Sequence, residues 1–175
     1  MKDRHNTVGT KYYVSRFKAD INNLKRTIDD ALAYYDRSFG FMDEDTRFEL
    51  KIVLNELLIN AIKHGGKAGA NRDGNTGADQ GDKADTAHDG NADEICYVKI
   101  IAGMAADDCA LLIIEDDGDG YDTTMLNKRR STGGIEETGR GIFLVKNLCE
   151  DFMVNEKGNK VVINKKLRKA YNVGV

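Results

Sequence analysis

Glu56 and Asn60 stand four residues apart in the segment Glu56-Leu57-Leu58-Ile59-Asn60-Ala61-Ile62-Lys63-His64-Gly65. At about 100° per residue of α-helix they fall roughly 40° apart on the wheel, with Lys63 and His64 flanking them on the same side. A carboxylate can accept the proton of a hydroxyl, and a carboxamide oxygen can ligate a hard cation, so the pair suits metal and nucleotide chemistry. Taken alone, an acid and an amide at the edge of an apolar stripe are more often a solvated helix flank than a site.

Two glycine motifs further along change that weighting. The run Leu111-Leu112-Ile113-Ile114 leads directly into Glu115-Asp116-Asp117-Gly118-Asp119-Gly120, a D-x-G-x-G pattern at a strand end. A carboxylate there can accept a hydrogen bond from an exocyclic amine, and the glycines let the backbone turn close to a flat base. An acidic hairpin turn is the plainer reading of this motif in isolation. An EF-hand is excluded, because a loop from Glu115 with Gly120 as its sixth residue puts Leu126 where the bidentate Glu belongs.

Gly139-Arg140-Gly141 then precedes the apolar run Ile142-Phe143-Leu144-Val145. Free amides at a helix start attract phosphate, and glycine permits close approach. Neither a G-x-x-x-x-G-K-[ST] loop nor a G-x-G-x-x-G strand-to-helix fingerprint is present, which removes P-loop and Rossmann readings. Between the two motifs, Tyr121 to Thr138 is polar, with Lys128-Arg129-Arg130 and Gly133-Gly134. That is the makeup of a lid whose cations meet phosphates.

The elements that must carry these groups follow from periodicity. Tyr12-Tyr13-Val14 predicts a short strand, and Ile21, Leu24, Ile28, Leu32 and Tyr35 a first helix. After a turn at Ser38 to Phe41, the acids Asp43-Glu44-Asp45 favour the start of a long helix, which Gly65-Gly66 ends. Its residues Leu50, Val53, Leu54, Leu57, Leu58 and Ala61 recur at helical spacing and form the core face beside Glu56 and Asn60. Ile95 to Ile101 and Leu111 to Ile114 read as an antiparallel hairpin turning through Gly103 to Asp108. Gly141 to Leu148 reads as a helix, and Phe152-Met153-Val154 with Val161-Val162-Ile163 as a second hairpin turning at Lys157-Gly158-Asn159. Elements in this order imply an α/β (α+β) two-layer sandwich, with helices on one face of a mixed, mainly antiparallel sheet.

Residues 66–94 differ in kind. They hold six Gly, six Asp and six Ala, and no Val, Ile, Leu, Met, Phe, Tyr or Cys. Such a segment cannot bury enough apolar surface to offset its ordering entropy, so a mobile insertion is expected. With seven acidic and three basic residues it carries the acidity behind the chain's net charge of −3. It lacks both EF-hand ligand spacing and a nonapeptide repeat, which argues against calcium binding.

The 175 residues suit a single domain spanning residues 1–175. No basic run with interleaved aromatics appears, so direct nucleic-acid binding is not expected. No apolar stretch reaches a membrane span and Met1 to Asn6 lacks a signal core, so a cytoplasmic protein without membrane attachment is expected. Cys96, Cys109 and Cys149 are scattered and odd in number, which fits reduced thiols.

Together, E-x-x-x-N on a helix, D-x-G-x-G after a strand and G-x-G at a helix resemble the ATP-binding boxes of the GHKL superfamily of gyrase-like ATPases and histidine kinases. The wording is closest to the anti-sigma-factor serine/threonine kinases: Asn60-Ala61-Ile62-Lys63-His64-Gly65, Asp116-Asp117-Gly118-Asp119-Gly120-Tyr121-Asp122 and Gly139-Arg140-Gly141-Ile142-Phe143-Leu144-Val145. The likeness covers about Tyr12 to Leu167, apart from residues 66–94. It implies a GHKL-type fold that binds ATP and Mg²⁺. Asn60 would hold the metal bridging the phosphates and Glu56 would act as general base. Asp116 would read the adenine amine, Gly118 and Gly120 would border the base, and Lys63, Gly139, Arg140 and Gly141 would meet phosphates. The implied partners are an anti-sigma-factor antagonist as protein substrate and a sigma factor, with a homodimer left open.

Two departures stand out. Gly158-Asn159-Lys160 replaces the family's frequent Gly-Thr-Thr, and the insertion at 66–94 is long. Two other functions compete: the catalytic domain of a sensor histidine kinase, and an ATP-sensing module that switches a partner without phosphotransfer. Against the former, His5, His64 and His88 lack a phosphoacceptor setting, and no dimerisation hairpin fits ahead of Glu56.

Overall fold

The computed structural model describes residues 12–64, 95–120 and 137–170. The expected insertion, and nearly all of the expected lid, lie outside those residues.

Strand β1 (Tyr12–Lys18) opens the described chain and a 3-10 turn (Ile21–Asn23) leads into helix α1 (Leu24–Phe39). Gly40, at φ 97°, ends α1, where its amide bonds to Asp36 O at 3.1 Å. That left-handed backbone is open to glycine without penalty. Helix α2 (Glu44–His64) follows, and Asp43 caps it by accepting the Thr46 amide at 2.7 Å. Glu44 and Asp45 place the expected acids in its first turn. Strands β2 (Tyr97–Ala106) and β3 (Cys109–Asp116) come next, then helix α3 (Glu137–Leu148), β4 (Asp151–Val154) and β5 (Lys160–Lys166).

The five strands form one sheet in the order β1-β2-β3-β5-β4, and every pairing between them is antiparallel. The helices pack on one face. Alternation along β3 sends Ala110, Leu112 and Ile114 to that face, and Asp116 is the next residue of the same set. The carboxylate is therefore carried to the helix side at the strand's last residue. The stripe read from α2 is the matching surface: Leu50, Val53, Leu54, Leu57, Leu58 and Ala61 are all buried, among Tyr35, Val98, Ile100 and Ile163. Tyr35 also donates from its hydroxyl to Leu111 O at 2.6 Å, fixing α1 to the sheet, and burial pushes its phenol pKa up.

Two boundaries differ from the sequence reading. The β2–β3 hairpin does not turn from Gly103: β2 continues through it, and only Asp107 and Asp108 form the turn. Gly103 is tolerated inside the strand because the Tyr12 ring lies over it, so close that a Cβ there would stand 2.6 Å from Tyr12 Cδ1. Helix α3 begins at Glu137 rather than Gly141. The cost of two helical glycines is small beside the burial of Val145 and packing against α2.

Candidate functional site

Helix α2 is the common neighbour of the motif-bearing elements: it carries Glu56 and Asn60 and packs against both α3 and β3. Glu56 and Asn60 lie one turn apart on α2, both partly buried, beside the fully packed face. Lys63 is exposed near the end of the helix. Helix α3 packs against α2, and Gly141 is set directly over the Glu56 side chain. A Cβ at residue 141 would lie 3.0 Å from Glu56 Cδ and would collide with Oε2. The second glycine of G-x-G thus makes room for a carboxylate on the neighbouring helix.

That result alters the reading of Gly139-Arg140-Gly141. With α3 starting at Glu137, Gly139 falls in the first turn, where amides have no intrahelical acceptor, while Gly141 lies beyond it. Arg140 is exposed. Of the three, Gly139 is best placed by its backbone to offer an amide to an anion.

The D-x-G-x-G loop is built by its own hydrogen bonds. Asp116 is 8% exposed, and its Oδ1 accepts the Gly118 amide at 2.9 Å. This local turn closes the loop and orients the carboxylate. The flanking acids are paired elsewhere: Glu115 with Lys160 at 3.0 Å and Asp117 with Arg16 at 2.9 Å. Of the three consecutive acids, Asp116 is the one buried toward the helix layer. Gly118 is buried, and Gly120 adopts φ 77° against the β4–β5 turn, where a Cβ would sit 2.8 Å from the Lys157 carbonyl carbon. A side chain at Gly120 is barred both by conformation and by space.

Sequence reading passed over the residues that hold this loop from behind. Asp116 N donates to Asn159 O at 3.0 Å, and Asn159 Nδ2 donates to Asp116 O at 2.7 Å. The only signal was the unusual Asn159 after Gly158, where a hydroxyl residue was expected. Its partner Asn155, across the turn, gave none.

Comparison with known families completes the picture. Residues 17–165 match the family model described as the histidine kinase-like ATPase domain. The chain belongs to that family. The match runs from the end of β1 into β5, so the Glu56, Asn60 and Asp116 positions all lie within an ATP-binding domain of the GHKL type. Among solved structures, the chain is similar to one titled "Mycobacterial sensor histidine kinase MprB", at 13% identity and TM-score 0.41, covering 89% of this chain and 100% of that one. Comparison with curated proteins gave no match.

The donor set fits a magnesium ion carried mainly by phosphates. Asn60 offers a partly buried carboxamide, and among the described residues no group of three or more His, Cys, Asp or Glu could hold a metal alone. Mg²⁺ commonly keeps waters and substrate phosphates and takes only one or two protein ligands. The three cysteines are free thiols, and burial pushes the Cys149 pKa up to about 12. A neutral thiol of that kind is a poor nucleophile at pH 7. Among the described residues no helix is long and apolar enough to cross a membrane.

Proposed function

We propose that this histidine kinase-like ATPase domain is a serine/threonine protein kinase of the anti-sigma-factor type. It transfers the γ-phosphoryl group of ATP to a serine or threonine of an anti-sigma-factor antagonist, and it regulates a sigma factor by binding it. The observation that carries the reading is the Glu56 carboxylate, held under Gly141 and one turn before Asn60. In that position Glu56 accepts the proton of an incoming hydroxyl as the phosphoryl group leaves ATP. Asn60 offers its amide oxygen to the metal, and Asp116 accepts from the adenine amine. A magnesium ion held by Asn60 and the phosphates would supply charge neutralisation during the transfer. Gly139 offers a first-turn amide to phosphate, and the exposed side chains of Lys63 and Arg140 supply positive charge nearby.

A detached catalytic domain of a sensor histidine kinase is the second reading, supported by the family match itself. Radiolabelled ATP with candidate antagonists separates the readings. Acid-stable label on a partner serine or threonine supports the kinase. Acid-labile label on histidine supports the second reading, and binding without transfer an ATP-dependent switch.

A further inference from the structure

The β4–β5 turn contains a relay of two asparagine amides that ends on the residue assigned to the base. Asn155 Oδ1 accepts three successive backbone amides, Gly158 at 3.0 Å, Asn159 at 3.1 Å and Lys160 at 3.0 Å. Asn155 Nδ2 donates to Asn159 Oδ1 at 2.9 Å, and Asn159 Nδ2 donates to Asp116 O at 2.7 Å. Donor and acceptor chemistry allows one orientation of both side chains. A backbone carbonyl only accepts, so the NH₂ of Asn159 must face Asp116 O. Its oxygen then meets the NH₂ of Asn155, whose own oxygen is left for the three amides. Reversing either amide breaks contacts at both ends.

The relay acts on a single residue, through both of its backbone polar groups. Asn159 takes the Asp116 N–H with its backbone carbonyl and gives its side-chain amide to the Asp116 carbonyl. Two residues on, Asp116 Oδ1 is fixed by the Gly118 amide, and Gly120 abuts Lys157 in the same turn. The whole D-x-G-x-G loop is thereby seated on the β4–β5 turn. From these contacts we propose that Asn159, oriented by Asn155, is a positioning residue for nucleotide recognition: it sets the aim of the Asp116 carboxylate and so the preference for adenine over guanine. The inference rests on the reading of Asp116 as acceptor of the adenine amine. Guanine presents a carbonyl oxygen at that point, which a correctly aimed carboxylate repels. A loosened carboxylate loses both the attraction and the rejection.

The test is titration calorimetry of the full chain with Mg-ATP and with Mg-GTP, for wild type, Asn159→Ala, Asn155→Ala and Asp116→Asn. Expected for Asn159→Ala is ATP binding weakened roughly five- to tenfold, the equivalent of one hydrogen bond, with GTP affected less. Asn155→Ala should shift in the same direction by less, and Asn159→Ala should add little in the Asp116→Asn background. In the nucleotide-free protein, Asn159→Ala should speed hydrogen exchange at the Asp116 and Gly118 amides. Equal loss of ATP and GTP, or wild-type affinity for both, overturns the positioning role while leaving ATP binding intact. Wild-type protein that fails to bind ATP overturns the reading of Asp116 itself, and the inference with it. If Asn159→Ala does not fold, Asn159→Ser carries the same comparison.

Discussion

Gly141 of α3 lies against the carboxylate of Glu56 on α2, leaving no room for a Cβ between them. The contact couples helix packing to the position of the group assigned to proton transfer. Gly141→Ala supplies a methyl group that must displace the end of a flexible side chain rather than backbone. In a helix, alanine also gains up to about 1 kcal/mol over glycine. The expected outcome is a thermal midpoint equal to or above wild type with phosphotransfer reduced by about 10²-fold or more, the lower range of a general base's contribution. Unfolding curves and a single-turnover transfer assay on the same preparation check it. Wild-type transfer in a folded Gly141→Ala protein would remove Glu56 from the chemistry.

Asn60 and Glu56 should separate binding from transfer. With no group of three or more His, Cys, Asp or Glu among the described residues to hold a metal in its place, Asn60→Ala is expected to abolish Mg-ATP binding. Mg²⁺ alone should bind neither protein. Glu56→Gln keeps the shape and loses the base, so it should bind ATP as wild type does and transfer roughly 10²- to 10⁴-fold more slowly. Calorimetry with and without Mg²⁺, followed by a transfer assay, decides both. Wild-type affinity in Asn60→Ala would sink the metal assignment.

What the sequence made legible was what repeats locally. Leu50 to Ala61 declared the buried face of α2, and the acids Asp43 to Asp45 its start, because each rests on a simple period or on charge within a turn. The apolar run Leu111 to Ile114 likewise placed Asp116 at a strand end. The hidden parts depend on distant neighbours. Gly103 looked like a turn because the Tyr12 ring that replaces its side chain comes from another strand. Gly141 looked like a glycine for phosphate approach at a helix start because Glu56, which it makes room for, is remote in sequence. The pairing of Asn159 with Asp116 joins residues 43 positions apart, and no local pattern signals it.

Lys165 joins three elements from inside the protein. Its side chain is 4% exposed, and Nζ bonds Glu49 Oε2 of α2 at 2.7 Å and Leu148 O at the end of α3 at 2.8 Å. Lys165→Met retains much of the apolar stem but leaves a carboxylate and a helix-end carbonyl without that donor. Glu49 is 31% exposed and has Arg168 at 3.6 Å, so water and a second cation soften the loss. The expected destabilisation is about 1–3 kcal/mol. Urea unfolding measures it, and an unchanged midpoint would show that the buried ammonium contributes nothing net.

The cap of α2 gives stability a defined dependence on pH. Hydrogen bonds from the Thr46 hydroxyl and amide, with Arg168 adding positive charge, hold the Asp43 carboxyl below its ordinary pKa. A group depressed on folding stabilises the native state above its unfolded value, about 4 for aspartate, and loses that contribution as pH falls through the lower folded value. Asp43→Ala should therefore lower the thermal midpoint at pH 7, and the gap from wild type should narrow as pH drops below about 4. Asp43→Asn retains an oxygen that can accept the Thr46 amide but has no charge, so its midpoint should lie between the two at pH 7 and vary less with pH than wild type. Melting curves of the three proteins between pH 7 and pH 3 test this. A gap between wild type and Asp43→Ala that stays constant across the range would mean that the ionised carboxylate is not what caps the helix.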